Sequence, residues 1–129
     1  MKILQPKNWK KPSGFSNGIV AEGKHVAIAG QVGWNEEQKF IYQDIVGQSH
    51  QALKNIVAVL AEAGGKPEQI VRLTWYIKNK SEYLKVTKEL GAAYREVLGS
   101  HYPAMSLLVV ADLLESEALV EIEASAIIP

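Results

Sequence analysis

The chain has 129 residues, 47% hydrophobic and 22% charged, and its 14 Lys and Arg balance its 14 Asp and Glu. That length suits one domain with one core, and a net charge of zero argues against a general nucleic-acid binder, which needs surplus cations to displace counterions from phosphates. With no cysteine in the chain, disulfide frameworks, thiolate nucleophiles and zinc–thiolate sites are excluded.

Residues 1–17, rich in Lys, Pro, Ser and Gly, predict an irregular or extended lead-in, with Lys7, Lys10 and Lys11 as a solvated basic arm. Gly18 to Glu22 and His25 to Ala29 are short apolar runs split by Gly23-Lys24 and stopped by Gly30, the pattern of a β-hairpin. Beyond a polar loop at Asn35 to Lys39, Phe40-Ile41-Tyr42 suggests a further short strand. The period changes at Asp44. Ile45, Ser49, Leu53, Ile56, Val57, Leu60 and Ala61 recur at three- and four-residue steps and predict a helix over 44–63, capped by Asp44 and ended by Gly64-Gly65 with Pro67. Val71 to Lys78 reads as a strand of β-branched and aromatic residues. Ser81 to Leu98 reads as a second amphipathic helix, with Tyr83, Val86, Leu90, Tyr94 and Val97 on one face and Gly99 after it. Strands near Ala104 to Ala111 and Leu119 to Ile127 complete the order, and no linker or repeat divides residues 1–129.

Two helices with one apolar face each are most economically buried on one face of a mixed sheet, an α+β architecture. In the last strand Val120, Ile122, Ala124 and Ala126 alternate with Glu121, Glu123 and Ser125, so one face is apolar and the other polar. Such a polar row is solvated surface, a site wall or a subunit boundary.

The residues themselves offer little nucleotide or metal chemistry. There is no glycine-rich phosphate cradle after a strand. His25, His50 and His101 are widely spaced, so no metal site is expected. Glu121 and Glu123 are the strongest acid–base candidates: two residues apart on a strand, their Cα atoms are about 7 Å apart and point the same way. Trp75, inside a strand, is expected in the core. Trp34, in the loop after Gly30-Gln31-Val32-Gly33, suits an interface or pocket as readily as packing.

Several motifs in order carry a resemblance. They are Phe15-Ser16, Ala29-Gly30-Gln31, Gln51-Ala52-Leu53-Lys54-Asn55-Ile56, Leu60-Ala61-Glu62-Ala63-Gly64, Val71-Arg72-Leu73-Thr74, Pro103-Ala104 with Ser106, and Val120-Glu121-Ile122-Glu123-Ala124. Over roughly residues 12–127 the chain resembles the RidA (YjgF-type) family of reactive-intermediate deaminases. The resemblance implies a chorismate-mutase-like fold and a homotrimer with clefts between subunits. It also implies cofactor-free hydrolysis of enamines or imines to keto acids and ammonia.

In such proteins an arginine grips the substrate carboxylate and a glutamate on the last strand positions water. Carried over by position, the glutamate is Glu121 and the Gly-Gln pair is Gly30 and Gln31. The tyrosine position holds Phe15, the serine position Ala29, and the asparagine of the second helix falls at about Thr87. The arginine position holds Met105, and a cysteine often found two residues on is Leu107.

Met105 matters most, because a guanidinium–carboxylate pair supplies two charge-assisted hydrogen bonds of about 1.5 to 3 kcal/mol each. Small 2-imino acids are therefore expected to be poor substrates unless His101 or Arg95 brings a replacement cation. Phe15, Ala29, Met105, Leu107 and Trp34 instead suit an apolar or aromatic ligand. The expected activity is hydrolysis of a reactive enamine or imine that lacks the usual small α-carboxylate. The alternative is a non-catalytic binder of a small metabolite; a ribonuclease or translation inhibitor fits the neutral charge less well. No basic-then-apolar leader or membrane-length apolar run is present, so a cytoplasmic protein is expected.

Overall fold

A computed structural model describes residues 1–129. Strands β1 (Lys2–Leu4), β2 (Gly18–Val20) and β3 (Lys24–Val32) precede helix α1 (Ile45–Glu62). After a 3₁₀ turn at Pro67–Gln69 come β4 (Ile70–Ile77), α2 (Lys80–Lys85), α3 (Thr87–Leu98), β5 (Ala104–Val109) and β6 (Val120–Ile128).

The main sheet has the order β3-β6-β4-β5, antiparallel at the first two pairings and parallel between β4 and β5. It is the expected mixed α+β sheet. Alternation in β6 follows the sequence pattern: Val120, Ile122, Ala124 and Ala126 are buried, while Glu121, Glu123 and Ser125 are partly exposed. The buried row joins Leu73, Trp75 and Ile77 of β4 in one core with Leu53, Ile56 and Leu60 of α1 and Tyr94 and Leu98 of α3. Each such aliphatic side chain contributes about 1.5–3 kcal/mol on burial.

α1 begins where its cap predicts. Asp44 is extended and its carboxylate accepts from the Gly47 N–H at 2.9 Å, a contact worth about 1 kcal/mol. It ends as Gly64 takes φ +78° and the Gly65 N–H reaches back to the Leu60 carbonyl at 3.1 Å, a left-handed stop that glycine adopts without a Cβ clash.

The structure refines or corrects the expected layout at four points. The lead-in, expected to be irregular or extended, is extended at Lys2–Leu4 and also paired, β1 running antiparallel to β2 in a separate two-stranded sheet. The two apolar runs after it therefore form no hairpin; β2 pairs with β1 and β3 with β6. The turn between them explains why. Gly23 has φ +146° and lies against the Ile128 backbone, where a Cβ would collide, so the chain swings onto β6.

The segment 40–42 forms only a bridge, Trp34 with Phe40. Tyr42 packs on Gly47 of α1, and its carbonyl accepts from Gln48 Nε2 at 3.1 Å. The second helix is in two pieces. Asn79 caps α2 by accepting from the Glu82 N–H at 3.0 Å, and Val86 breaks the helical line with φ −127° and ψ 22°. No helix is long and apolar enough to cross a membrane.

Candidate functional site

An open cleft of about 1060 Å³ lies between α3, the start of β5 and the N-terminal arm. The arm is tied to β5: Ser16 donates its backbone N–H to the Pro103 carbonyl at 3.1 Å and its hydroxyl to the Tyr102 carbonyl at 2.6 Å. That tether turns Phe15 into the cleft. Met105 and Leu107 project from β5 on the helix-facing side of the sheet, as the pairings Leu73↔Met105 and Trp75↔Leu107 require. Thr87 at the start of α3 joins them in the lining, as does Trp75, which is only 8% exposed.

The far wall is braced. Tyr94 donates its hydroxyl to the His101 carbonyl at 2.6 Å and stacks on Tyr102 with ring centroids 5.3 Å apart. Burial, reinforced by Tyr102, pushes the Tyr94 phenol well above its ordinary value. His101 Nε2 lies 2.7 Å from the Ile70 carbonyl, so that nitrogen carries a proton and donates it.

Glu121 is elsewhere. It pairs with Tyr76 across β6 and β4 and projects from the opposite face of the sheet, where the row Arg72, Thr74, Tyr76 meets Glu121, Glu123 and Ser125. The two carboxylates there differ in engagement. Glu123 accepts from the Tyr76 hydroxyl at 2.5 Å, and this bond is the chief reason the phenol is raised above its usual value. The Glu121 carboxylate accepts no hydrogen bond from the protein and is in no ion pair. Its carboxylate rests against the Cα of Gly30, in the space a Cβ would fill. Glycine at position 30 is thus what admits the acid to this end of β3.

The Gly30–Trp34 segment is set from behind. Asn55 on α1 donates to the Val32 and Trp34 carbonyls at 3.2 and 2.7 Å, and Gln31 Nε2 folds onto the Ala29 carbonyl at 3.1 Å. Trp34 packs on Phe40, ring centroids 5.8 Å apart.

The structure therefore divides the sequence-predicted residues into two groups. Phe15, Thr87, Met105 and Leu107 share the cleft. Ala29, Gly30, Gln31, Trp34 and Glu121 line none of it. β3 and β5 are opposite edges of the sheet, three strand spacings or roughly 14 Å apart, and Glu121 and Met105 project from opposite faces. A ligand on Met105 cannot meet Glu121 of the same chain. Sequence reasoning also missed Tyr83, Leu90, Gly91 and Tyr102 as cleft residues. Tyrosines on an otherwise aliphatic helix face were the available signal, since a phenol tip prefers a wet boundary to a dry core.

Comparison with known proteins follows the geometry. The sequence profile of the family described as Endoribonuclease L-PSP matches residues 8–128. A RutC family protein of Pasteurella multocida is 30% identical over 126 residues, covering 98% of this chain and 97% of its own. A 2-iminobutanoate/2-iminopropanoate deaminase of Salmonella typhimurium is 30% identical over 105 residues, 81% of this chain and 80% of its own. Among solved structures, a Rid-family protein of unknown function from Yersinia pestis superposes with a TM-score of 0.83 at 34% identity over 98% of both chains. RidA from a Psychrobacter species superposes with 0.71 at 26% identity over 99% of both.

Proposed function

The chain belongs to the RidA/YjgF family, and on that premise we propose that it is a hydrolytic deaminase of a reactive enamine or imine. Its substrate is bulkier and more apolar than 2-iminobutanoate, and the reaction takes place in clefts shared between subunits of a homotrimer. The observation that carries this reading is the division of the site. One chain presents a binding cleft at its β5 edge and an unengaged carboxylate near its β3 edge, and a second copy set edge to edge supplies what the first lacks.

The edges favour such a contact. Leu107, Leu108 and Val109 of β5 are 39%, 44% and 52% exposed. An apolar edge strand of this kind, paired on one side only, is normally covered by a partner.

In that arrangement the partner subunit's Glu121 accepts a proton from water as the oxygen attacks the imine carbon. The proton passes to nitrogen to give the carbinolamine; its hydroxyl proton then moves by way of the partner subunit's Glu121 to the amine as the C–N bond breaks, and ketone and ammonia leave. An enamine first tautomerises to the imine. The chemistry needs no cofactor. Met105 and Leu107 give the substrate body apolar contact where a relative's arginine would hold a carboxylate. The family's description mentions an endoribonuclease, but a chain of zero net charge does not suit that activity.

Ammonia release from 2-iminobutanoate and from bulky apolar imines, generated in situ, tests the proposal. The bulky imines should turn over faster, and Glu121→Ala should reduce their kcat by about 10²-fold. Rapid hydrolysis of 2-iminobutanoate that survives Glu121→Ala would sink it. Ligand-induced thermal stabilisation with no product would leave a non-catalytic binder in its place.

A further inference from the structure

The ionisable lining of the cleft, its tyrosines aside, carries one sign of charge. Lys11, Arg95 and His101 border it, and none of its 20 residues is Asp or Glu. His101 is occupied at Nε2 by the Ile70 carbonyl, and Lys11 sits on the exposed arm. Arg95 is different. The ion pairs of the chain are His50–Glu96, Lys78–Asp112 and Lys85–Glu82, and Arg95 is in none of them.

Helical side chains lean toward the N-terminus, over the residue one turn earlier. For Arg95 that residue is Gly91, which lines the same cleft. A Cβ at position 91 would lie 3.1 Å from Arg95 Nη1. Glycine inside a helix costs about 1 kcal/mol relative to alanine, and Gly91 has no positive φ to require it. Its absent side chain leaves the guanidinium room to lie along the cleft wall. The rings of Phe15, Trp75, Tyr83, Tyr94 and Tyr102 line the same cleft.

We infer that Arg95 is the anion anchor of this cleft, and that its ligand is an aromatic or large apolar carboxylate whose body packs on Met105 and the rings. The inference rests on the cleft being the ligand site proposed above. It moves the carboxylate contact from β5 to α3 and thereby selects a longer molecule than a small 2-imino acid. A guanidinium presents a fork of donors that a carboxylate matches in two parallel hydrogen bonds.

Calorimetric titration with 3-phenylpropionate and with its neutral amide tests this without any turnover. The wild-type trimer should bind the acid about tenfold more tightly than the amide, and added salt should narrow the difference. Arg95→Gln should abolish the preference and Arg95→Lys should restore part of it. Lys11→Gln should leave most of it intact. Equal binding of acid and amide, binding of neither at millimolar concentration, or loss of the preference in Lys11→Gln instead would overturn the inference. Glu121→Ala should keep the preference while losing hydrolysis, so a failure of the anion anchor is distinguishable from a failure of the deaminase reading.

Discussion

A single methyl group at Gly30 bears directly on the role of Glu121. The Glu121 carboxylate occupies the space where that methyl would stand, and the backbone there has no positive φ, so alanine fits the chain but not the acid. The carboxylate is the free end of a flexible side chain and can swing away. Gly30→Ala should therefore melt close to wild type, within the ±0.5 kcal/mol usual for substitutions that strain no backbone. Its kcat for the best imine should fall at least tenfold while KM changes little, since in the proposed reaction the acid acts on water and not on the substrate body. Steady-state ammonia release decides it; an unchanged kcat would mean that the Glu121 position is irrelevant to turnover. Glu123 offers the contrast, because its hydrogen bond to Tyr76 already holds it in place.

At the scale of elements, the junction from α3 into β5 is where the cleft is built, and Tyr94 is its brace. Burial keeps the folded phenol neutral above the ordinary tyrosine value, whereas the unfolded phenol ionises near pH 10. The group's contribution is thus complete below about pH 10 and drains away as pH rises further. Tyr94→Phe should lose about 1 kcal/mol at neutral pH with the bond to His101, yet its melting temperature should fall less steeply than wild type above pH 10. Melting curves across pH 8–11 check both halves.

The same elements show what was legible beforehand. Helix α1 was readable because Leu53, Ile56 and Leu60 keep one period between an Asp44 cap and a Gly64 stop, all local signals. The β6 alternation was local too. The break at Val86 was not, because valine fits the apolar period of a continuous helix and its propensity penalty is small. Nor was the partner of β2, which is chosen by the Gly23 turn meeting Ile128. Among site residues, Phe15, Met105 and Leu107 do converge. That Glu121 faces away from them is a matter of register, and register is set by pairing partners far along the chain.

At the scale of the whole molecule, the two half-sites make complementation the decisive experiment. Glu121→Ala subunits keep the β5 cleft, and Met105→Trp subunits, with the cleft filled, keep the carboxylate. On the proposed trimeric arrangement, either variant alone should be inactive. Unfolded together in equal amounts and refolded, they should recover up to about one quarter of wild-type activity, since a random neighbour pair combines the two intact halves one time in four. Ammonia release from mixed and separately refolded samples reads the result; no recovery would place both halves within one subunit.

The sheet order has one more consequence, for how the protein comes to exist. β3 and β4 are not neighbours in the sheet; each pairs with β6, which follows every other element in sequence. During synthesis β3 thus waits nearly a hundred residues for a neighbour, and the β4–β5 pair stands with an open apolar flank. Pairings this distant form slowly, and unpaired strands are exposed to aggregation meanwhile. The sheet can close only after residues 120–128 have left the ribosome.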